Sequence, residues 1–206
     1  MEFEEVREPE AALDAENNAK SLKSNILLYL HDIVCLLSGV LLVILLCFRV
    51  VIVSGPSMNR TLVDGDWLIL LSNVLYGEPQ QGDIVVASKD SFEDGEPIIK
   101  RVIATEGQEV DIDFEAGIVY VDGVALDEPY TNTPTNIREG MEFPLVVEDG
   151  CVFLMGDNRN KSKDSRSTEI GQVDCRELLG KAMILVFPGK ETEKSPRDFT
   201  RIGVIS

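Results

Sequence analysis

A serine and a lysine are the residues of this chain best suited to do chemistry. Ser57 lies in Ser54-Gly55-Pro56-Ser57-Met58, nine residues beyond the end of a long apolar run at Phe48. A serine attacks a carbonyl only when a base takes its proton, and the usual base is histidine. The single histidine, His31, lies on the other side of the apolar run. A lysine can replace it only where burial or a neighbouring cation draws its pKa toward neutrality. Lys100 meets that condition. In the strand-like Ile98–Ala104, alternation puts Ile98, Lys100 and Val102 on one face and Ile99, Arg101 and Ile103 on the other. Each residue also has a plainer reading: a serine closing a proline turn, and a lysine snorkelling from a strand edge. Lys181 competes as base, since it shares a face with Met183 and Leu185. It follows Gly180 directly, however, at a strand start where solvent is close.

A third feature is the run GDNRNKSKDSR, Gly156–Arg166. As a calcium loop it fails, because Arg159 and Lys161 stand where oxygen ligands are needed. No phosphate-binding GxxxxGK[ST] loop occurs in the chain. The run does offer a dense set of donors and acceptors, Asp164 and Arg166 among them, suited to bracing a site from behind. As a plain sequence it also reads as a solvated loop.

The elements around these residues read as β. RVVIVSG from Arg49, Asp66–Ser72, Gly82–Ser88, Ile98–Ala104, Cys151–Met155 and Lys181–Phe187 are short β-rich runs bounded by turn formers. Glu109–Glu128 holds two hairpin signals, Glu-Ala-Gly and Asp-Gly. Only Cys175–Leu179 hints at a helical turn. Strands spaced this closely predict a mainly β, antiparallel fold. The polar stretch before Gly150 reads as an excursion that joins the hairpins in a smaller inserted β subdomain, at about 107–150.

Ahead of the strands, Ile33–Phe48 carries no charge, and with Ile26–Leu30 it makes a helix about 30 Å long, enough to span a bilayer. A cleaved secretory signal would need a basic n-region, whereas residues 1–19 are acidic and read as a solvated, irregular tail. Flanking Lys20 and Lys23 against Arg49 and Arg60 leave the charge rule for orientation nearly silent. The net charge of −17 argues against a nucleic-acid partner. Cys35 and Cys47 lie in the apolar run, and Cys151 and Cys175 lack metal-site spacing, so no metal and no cofactor is expected.

The order of segments resembles the bacterial type I signal peptidases, membrane-anchored Ser-Lys proteases of the S26 kind. The matching stretches are Ser57-Met58 with Thr61-Leu62, Gly82–Val86, Ile99–Ile103 and GDNRNKSKDSR, in that order. The resemblance implies Ser57 as nucleophile and Lys100 as general base. It further implies that Ser162 hydrogen-bonds the lysine amine, that Asp164 and Arg166 pair near the site, and that Arg101 and Met58 support it. The implied organisation is an acidic cytoplasmic tail over 1–24, a transmembrane helix over 25–48 and an extracytoplasmic peptidase domain over 49–206. The implied partners are secretory preproteins bearing signal peptides, with small residues before the cut, and membrane lipid; a monomer is expected. Two features depart from the family. Asn59-Arg60 stands where a proline is frequent, and Gly55 where some members place a serine whose hydroxyl helps hold the oxyanion. Two other readings are a self-cleaving regulator of the LexA type, which would need a DNA-binding domain, and a catalytically silent tethered binding module. From Phe48 to Ser57 the chain reaches about 30 Å at most, which would hold the serine close to the membrane.

Overall fold

The computed structural model describes residues 7–88, 95–192 and 194–205, with side chains described from Asn25 onward. The chain divides into two compact units, Met1–Leu46 and Cys47–Ser206. The first holds one helix, α1 (Arg7–Cys47). Its portion Asn25–Cys47 is long and apolar enough to cross a membrane by length and composition. The helix begins well before the apolar run, across a segment expected to be irregular. Ala11, Ala12, Leu13, Ala15, Glu16, Ala19 and Lys20 are strong helix formers, and their local preference outweighs the missing apolar stripe. Residues 1–6 of the acidic tail lie outside the described residues.

The second unit is built from strands. The large sheet contains β1 (Phe48–Ile52), β2 (Trp67–Ser72), β3 (Ile84–Ala87), β4 (Ile98–Thr105), β9 (Cys151–Met155), β10 (Val173–Asp174), β11 (Leu178–Phe187) and β12 (Gly203–Val204). Its order is β1-β2-β11-β3-β4-β9-β10, with β12 added beside β11. The small sheet holds β5 (Glu109–Asp113), β6 (Ile118–Val121), β7 (Val124–Ala125) and β8 (Leu145–Val146) in the order β7-β6-β5-β8. Every pairing described is antiparallel. A four-residue helix, α2 (Asn73–Tyr76), was too short to leave a periodic signature. The expected helical turn after Asp174 is a 3-10 turn, Cys175–Glu177, closed by a capping box from Asp174 and Glu177.

Both hairpin signals work as turn chemistry requires. Asp122 and Gly123 take positive φ, 52° and 76°, between the paired Val121 and Val124. That backbone matches the right-handed twist of the two strands, and Asp-Gly adopts it at low cost. At the other turn Asp113 Oδ1 accepts the amides of Glu115 and Ala116 at 2.9 Å each.

Three apolar clusters hold the unit together. Phe114, Val119 and Val121 of the small sheet pack with Ile103, Phe153 and Met155 of the large one. Val85, Val102, Leu154 and Leu178 form a second cluster. In the third, Met58 and Leu62 pack with Leu68, Leu70, Ile84 and Val86, which fastens the loop after β1 to the sheet.

Candidate active site

The loop that carries Ser57 is fixed first by its own backbone. Past β1 the chain keeps the pairing of a strand, with the Val53 amide donating to the Asp66 carbonyl at 2.8 Å and the Gly65 amide to the Val53 carbonyl at 2.9 Å. The Gly55 amide donates to Asp64 Oδ1 at 2.9 Å, and the Leu62 amide to the Met58 carbonyl, also at 2.9 Å. Met58 and Leu62 point into the core, 1% and 0% exposed. Burying two large apolar side chains, at about 1.5–3 kcal/mol each, holds the turn down while Ser57 stays partly accessible.

Lys100 comes from β4, opposite Val85 of β3. Its ammonium group reaches Ser57: Nζ lies 2.9 Å from Ser57 Oγ and 3.2 Å from the Ile99 carbonyl. Lys100 is 4% exposed. An amine held this far from water loses hydration of its charged form. Lys181, the competing candidate, is engaged elsewhere, paired with Asp83 Oδ1 at 2.5 Å and placed over the Tyr76 ring.

The segment after β9 closes on this pair from behind. The Asn158 amide donates to the Ser57 carbonyl at 2.9 Å, and Asn158 Nδ2 donates to the Pro56 carbonyl at 3.0 Å. Gly156 passes so close that a Cβ there would stand 2.5 Å from the Ser57 carbonyl oxygen and 2.2 Å from Ser162 Oγ. Only a glycine fits. Ser162 therefore lies beside the site, buried, yet its hydroxyl has no hydrogen-bond partner among the described residues. No bond from Ser162 Oγ to the lysine amine is made among the described residues.

Two buried ion pairs brace the loop. Arg101 meets Asp157 through two bonds of 2.9 Å, donates to the Gly82 carbonyl at 2.8 Å, and lies 4.0 Å over the Tyr130 ring. Thr61 Oγ1 also donates to Asp157 Oδ2, which ties the serine loop to the same carboxylate. Arg166 meets Asp164 at 2.8 and 2.9 Å and donates to the carbonyls of Arg159 and Ser162. Asp164 Oδ2 in turn accepts the Gly156 amide at 2.9 Å. Burial works against the Arg166 cation, but its bonds to Asp164 outweigh it and hold its pKa above the usual value. Beside them Glu139 is pushed up by burial and by the charge of Asp164, with Arg166 and Lys100 opposing. Such buried pairs contribute little net stability but are costly to break.

Ser57, Lys100, Ser162, Asp164, Arg166, Arg101 and Met58 thus lie in one region, and Lys181 stands apart from it. Met58 serves there by packing. Sequence reasoning assigned no part to Asp157, Asn158, Gly156, Thr61 or Glu139. The first three stand in the GDNRNKSKDSR run, so position in that motif was the only available signal for them.

A cleft of roughly 660 Å³ opens over the pair, walled by Val51, Val53, Pro56, Val86, Ile98 and Ile99. One side is the strand leading into Ser57, which stands at the edge of the sheet. The other is the start of β4, where pairing to β9 begins only at Arg101. Both walls thus present backbone edge.

Comparison with known proteins shows the family of the chain. Residues 26–187 match the family described as signal peptidase, peptidase S26. The chain is 30% identical to signal peptidase I of Bacillus licheniformis over 188 residues, 87% of this chain and 98% of the relative. It is 36% identical to probable signal peptidase I-1 of Synechocystis over 77% of this chain and 82% of the relative. Signal peptidase I S of Bacillus subtilis is 30% identical over 89% of this chain and the whole of the relative. With its apolar N-terminal helix and mainly antiparallel sheets, this chain belongs to the S26 family as a signal peptidase I, a peptidase that removes signal peptides from preproteins.

Proposed function

We propose that Ser57 is the nucleophile and Lys100 the general base of this hydrolysis. The observation that carries the reading is the 2.9 Å contact between Lys100 Nζ and Ser57 Oγ at the floor of the cleft. Neutral Lys100 takes the hydroxyl proton as Oγ bonds to the scissile carbonyl carbon. The resulting ammonium protonates the leaving amine, which departs with the mature protein. Water then attacks the Ser57 ester with Lys100 again as base, and the signal peptide leaves as the free acid. Gly55 carries no hydroxyl, so the Ser57 amide is the donor we assign to the oxyanion. The Ser162 hydroxyl, buried and unengaged among the described residues, is the polar group available to orient the amine. Arg101, Asp164 and Arg166 act through the loops they fasten.

An extended substrate adds to the two backbone edges of the cleft as a further strand, with its small side chains before the cut against Val86, Ile98 and Ile99. Asn25–Cys47 anchors the enzyme as one transmembrane span, with the N-terminus cytoplasmic and the peptidase unit (49–206) outside. Lipid contact is supported by the outer face of the large sheet. Phe48, Val50 and Ile52 alternate on one exposed face of β1, and the exposed Trp67 and Phe187 continue it. Aromatic residues on an apolar face suit a membrane–water interface.

The test is cleavage of a secretory preprotein by the full chain in detergent. Ser57→Ala and Lys100→Ala should each abolish product while keeping the parent melting curve. Normal cleavage by either variant would sink the assignment.

A further inference from the structure

The chain continues beyond Phe187, where the family match ends. The segment after it turns back across the serine loop. The Gly189 amide donates to Asp66 Oδ1 at 2.6 Å. Arg201 then meets the same carboxylate from the other end, NH1 to Oδ1 at 2.9 Å and NH2 to Oδ2 at 2.7 Å. The same guanidinium donates to the Thr61 carbonyl at 3.1 Å. Asp66 is fully buried and also accepts the Val63 amide at 2.8 Å. Three separate donors therefore converge on one buried carboxylate at the end of the loop that carries Ser57. β12 lies against β11, and Ile205 packs against the cluster that contains Met58.

These contacts form a continuous path. Thr61 accepts Arg201 with its carbonyl and gives its hydroxyl proton to Asp157. Asp157 holds Arg101, the residue next to Lys100 in β4, and its neighbour Asn158 holds the Ser57 carbonyl. The two ends of the proposed dyad are thus joined through Asp157 and Asn158, and Thr61 links that path to Arg201. Arg201 is the cation that bonds the Thr61 carbonyl.

We propose that Arg201 is a positioning residue for Ser57: clamped on Asp66 and on the Thr61 carbonyl, it sets the distance between nucleophile and base from the C-terminal segment. The inference rests on the reading of Ser57 and Lys100 as the dyad. A guanidinium is needed because only its planar fork reaches both carboxylate oxygens and a carbonyl together; an ammonium is a single point charge. A displacement of about 1 Å at a reacting atom is enough to slow a reaction on the order of a hundredfold, so a loosened clamp should show in turnover more than in binding. The cleft wall that meets substrate contains neither Arg201 nor Asp66.

The experiment uses the full chain in detergent with a preprotein substrate. It compares the parent, Arg201→Lys and Arg201→Gln at a temperature where melting curves show all three folded. Arg201→Gln should lower kcat by about tenfold or more, with KM within about twofold, and single-turnover cleavage should fall in parallel. Arg201→Lys should recover part of the loss. Hydrogen exchange should rise across 54–66 in both variants and stay unchanged in the β5–β6 hairpin. If kcat stays within about twofold of the parent, or exchange in 54–66 does not move, the proposal is overturned. Should Arg201→Gln fail to fold, the Arg201→Lys kinetics and exchange decide alone. Ser57→Ala run alongside keeps the two readings apart: residual cleavage there breaks the dyad assignment, whereas an inert Ser57→Ala with an unaffected Arg201→Lys breaks only the clamp.

Discussion

Gly156→Ala is the sharpest perturbation of the site, because it adds one methyl group and no charge. The new Cβ would sit 2.5 Å from the Ser57 carbonyl oxygen and 2.2 Å from Ser162 Oγ. Ser162 can turn its Oγ away, but its Cβ, 2.5 Å from the new methyl, moves only with the backbone. The Ser57 carbonyl is likewise backbone, and it holds the Asn158 amide at 2.9 Å. To regain an ordinary contact of 3.4 Å it must retreat by about 0.9 Å. Overpacking of this kind costs about 1–3 kcal/mol of stability, a drop in Tm of roughly 2–4 °C per kcal/mol for a chain this size. The effect on rate should be larger. Moving the nucleophile about 1 Å from its attack geometry costs on the order of a hundredfold, roughly 2.7 kcal/mol of barrier. Preprotein cleavage measured well below the melting temperature separates the two effects. A kcat within about threefold of the parent, or full recovery on cooling, would refute the idea that Gly156 sets the position of Ser57.

The remaining predictions concern charge. Cleavage by the parent should rise with pH as Lys100 loses its proton, and Lys100→Arg, which cannot deprotonate near neutrality, should be inert throughout; a rate flat from about pH 6 to 10 would exclude a lysine base. Arg101→Gln leaves the buried Asp157 carboxylate without its cation and should lower stability by about 3 kcal/mol or more, read by denaturant unfolding; an unchanged midpoint counts against the brace. Glu139 has a raised folded pKa, first from burial and then from Asp164. Such a group favours the fold below its unfolded pKa of about 4.3 and loses that contribution as pH rises through the folded value. Glu139→Gln should therefore raise Tm at neutral pH relative to the parent, with the gain shrinking on acidification. A gain that grows toward acid would have the wrong sign.

Much of the fold was legible because strands advertise themselves locally. Alternation over Ile98–Ala104 placed Lys100 on a face with aliphatic neighbours, and Asp122-Gly123 marked its hairpin to the residue. Pairing order was not legible. β11 inserts between β2 and β3, and nothing in Leu178–Phe187 names partners about a hundred residues earlier, since period-two patterning carries a face but no address. The same limit hid Asp157. Its carboxylate finds Arg101 because Arg101 pairs with Met155 across β4 and β9, a register that only tertiary structure sets. The helical acidic segment was missed for the opposite reason, as composition suggested solvation where local propensity favours helix.

The grip of Asn158 on Pro56 spans 102 residues of chain, and its neighbouring bond to Ser57 closes nearly the same loop. Its consequence concerns time during synthesis. When the serine and even the lysine have been made, the segment that fastens their loop does not yet exist, and closing so long a loop is one of the slower events of folding. A half-made or half-melted chain therefore carries Ser57 and Lys100, the proposed dyad, without the Asn158 contacts that hold the serine loop. The loop that carries Ser57 therefore waits for its clasp until the chain beyond β9 has been made.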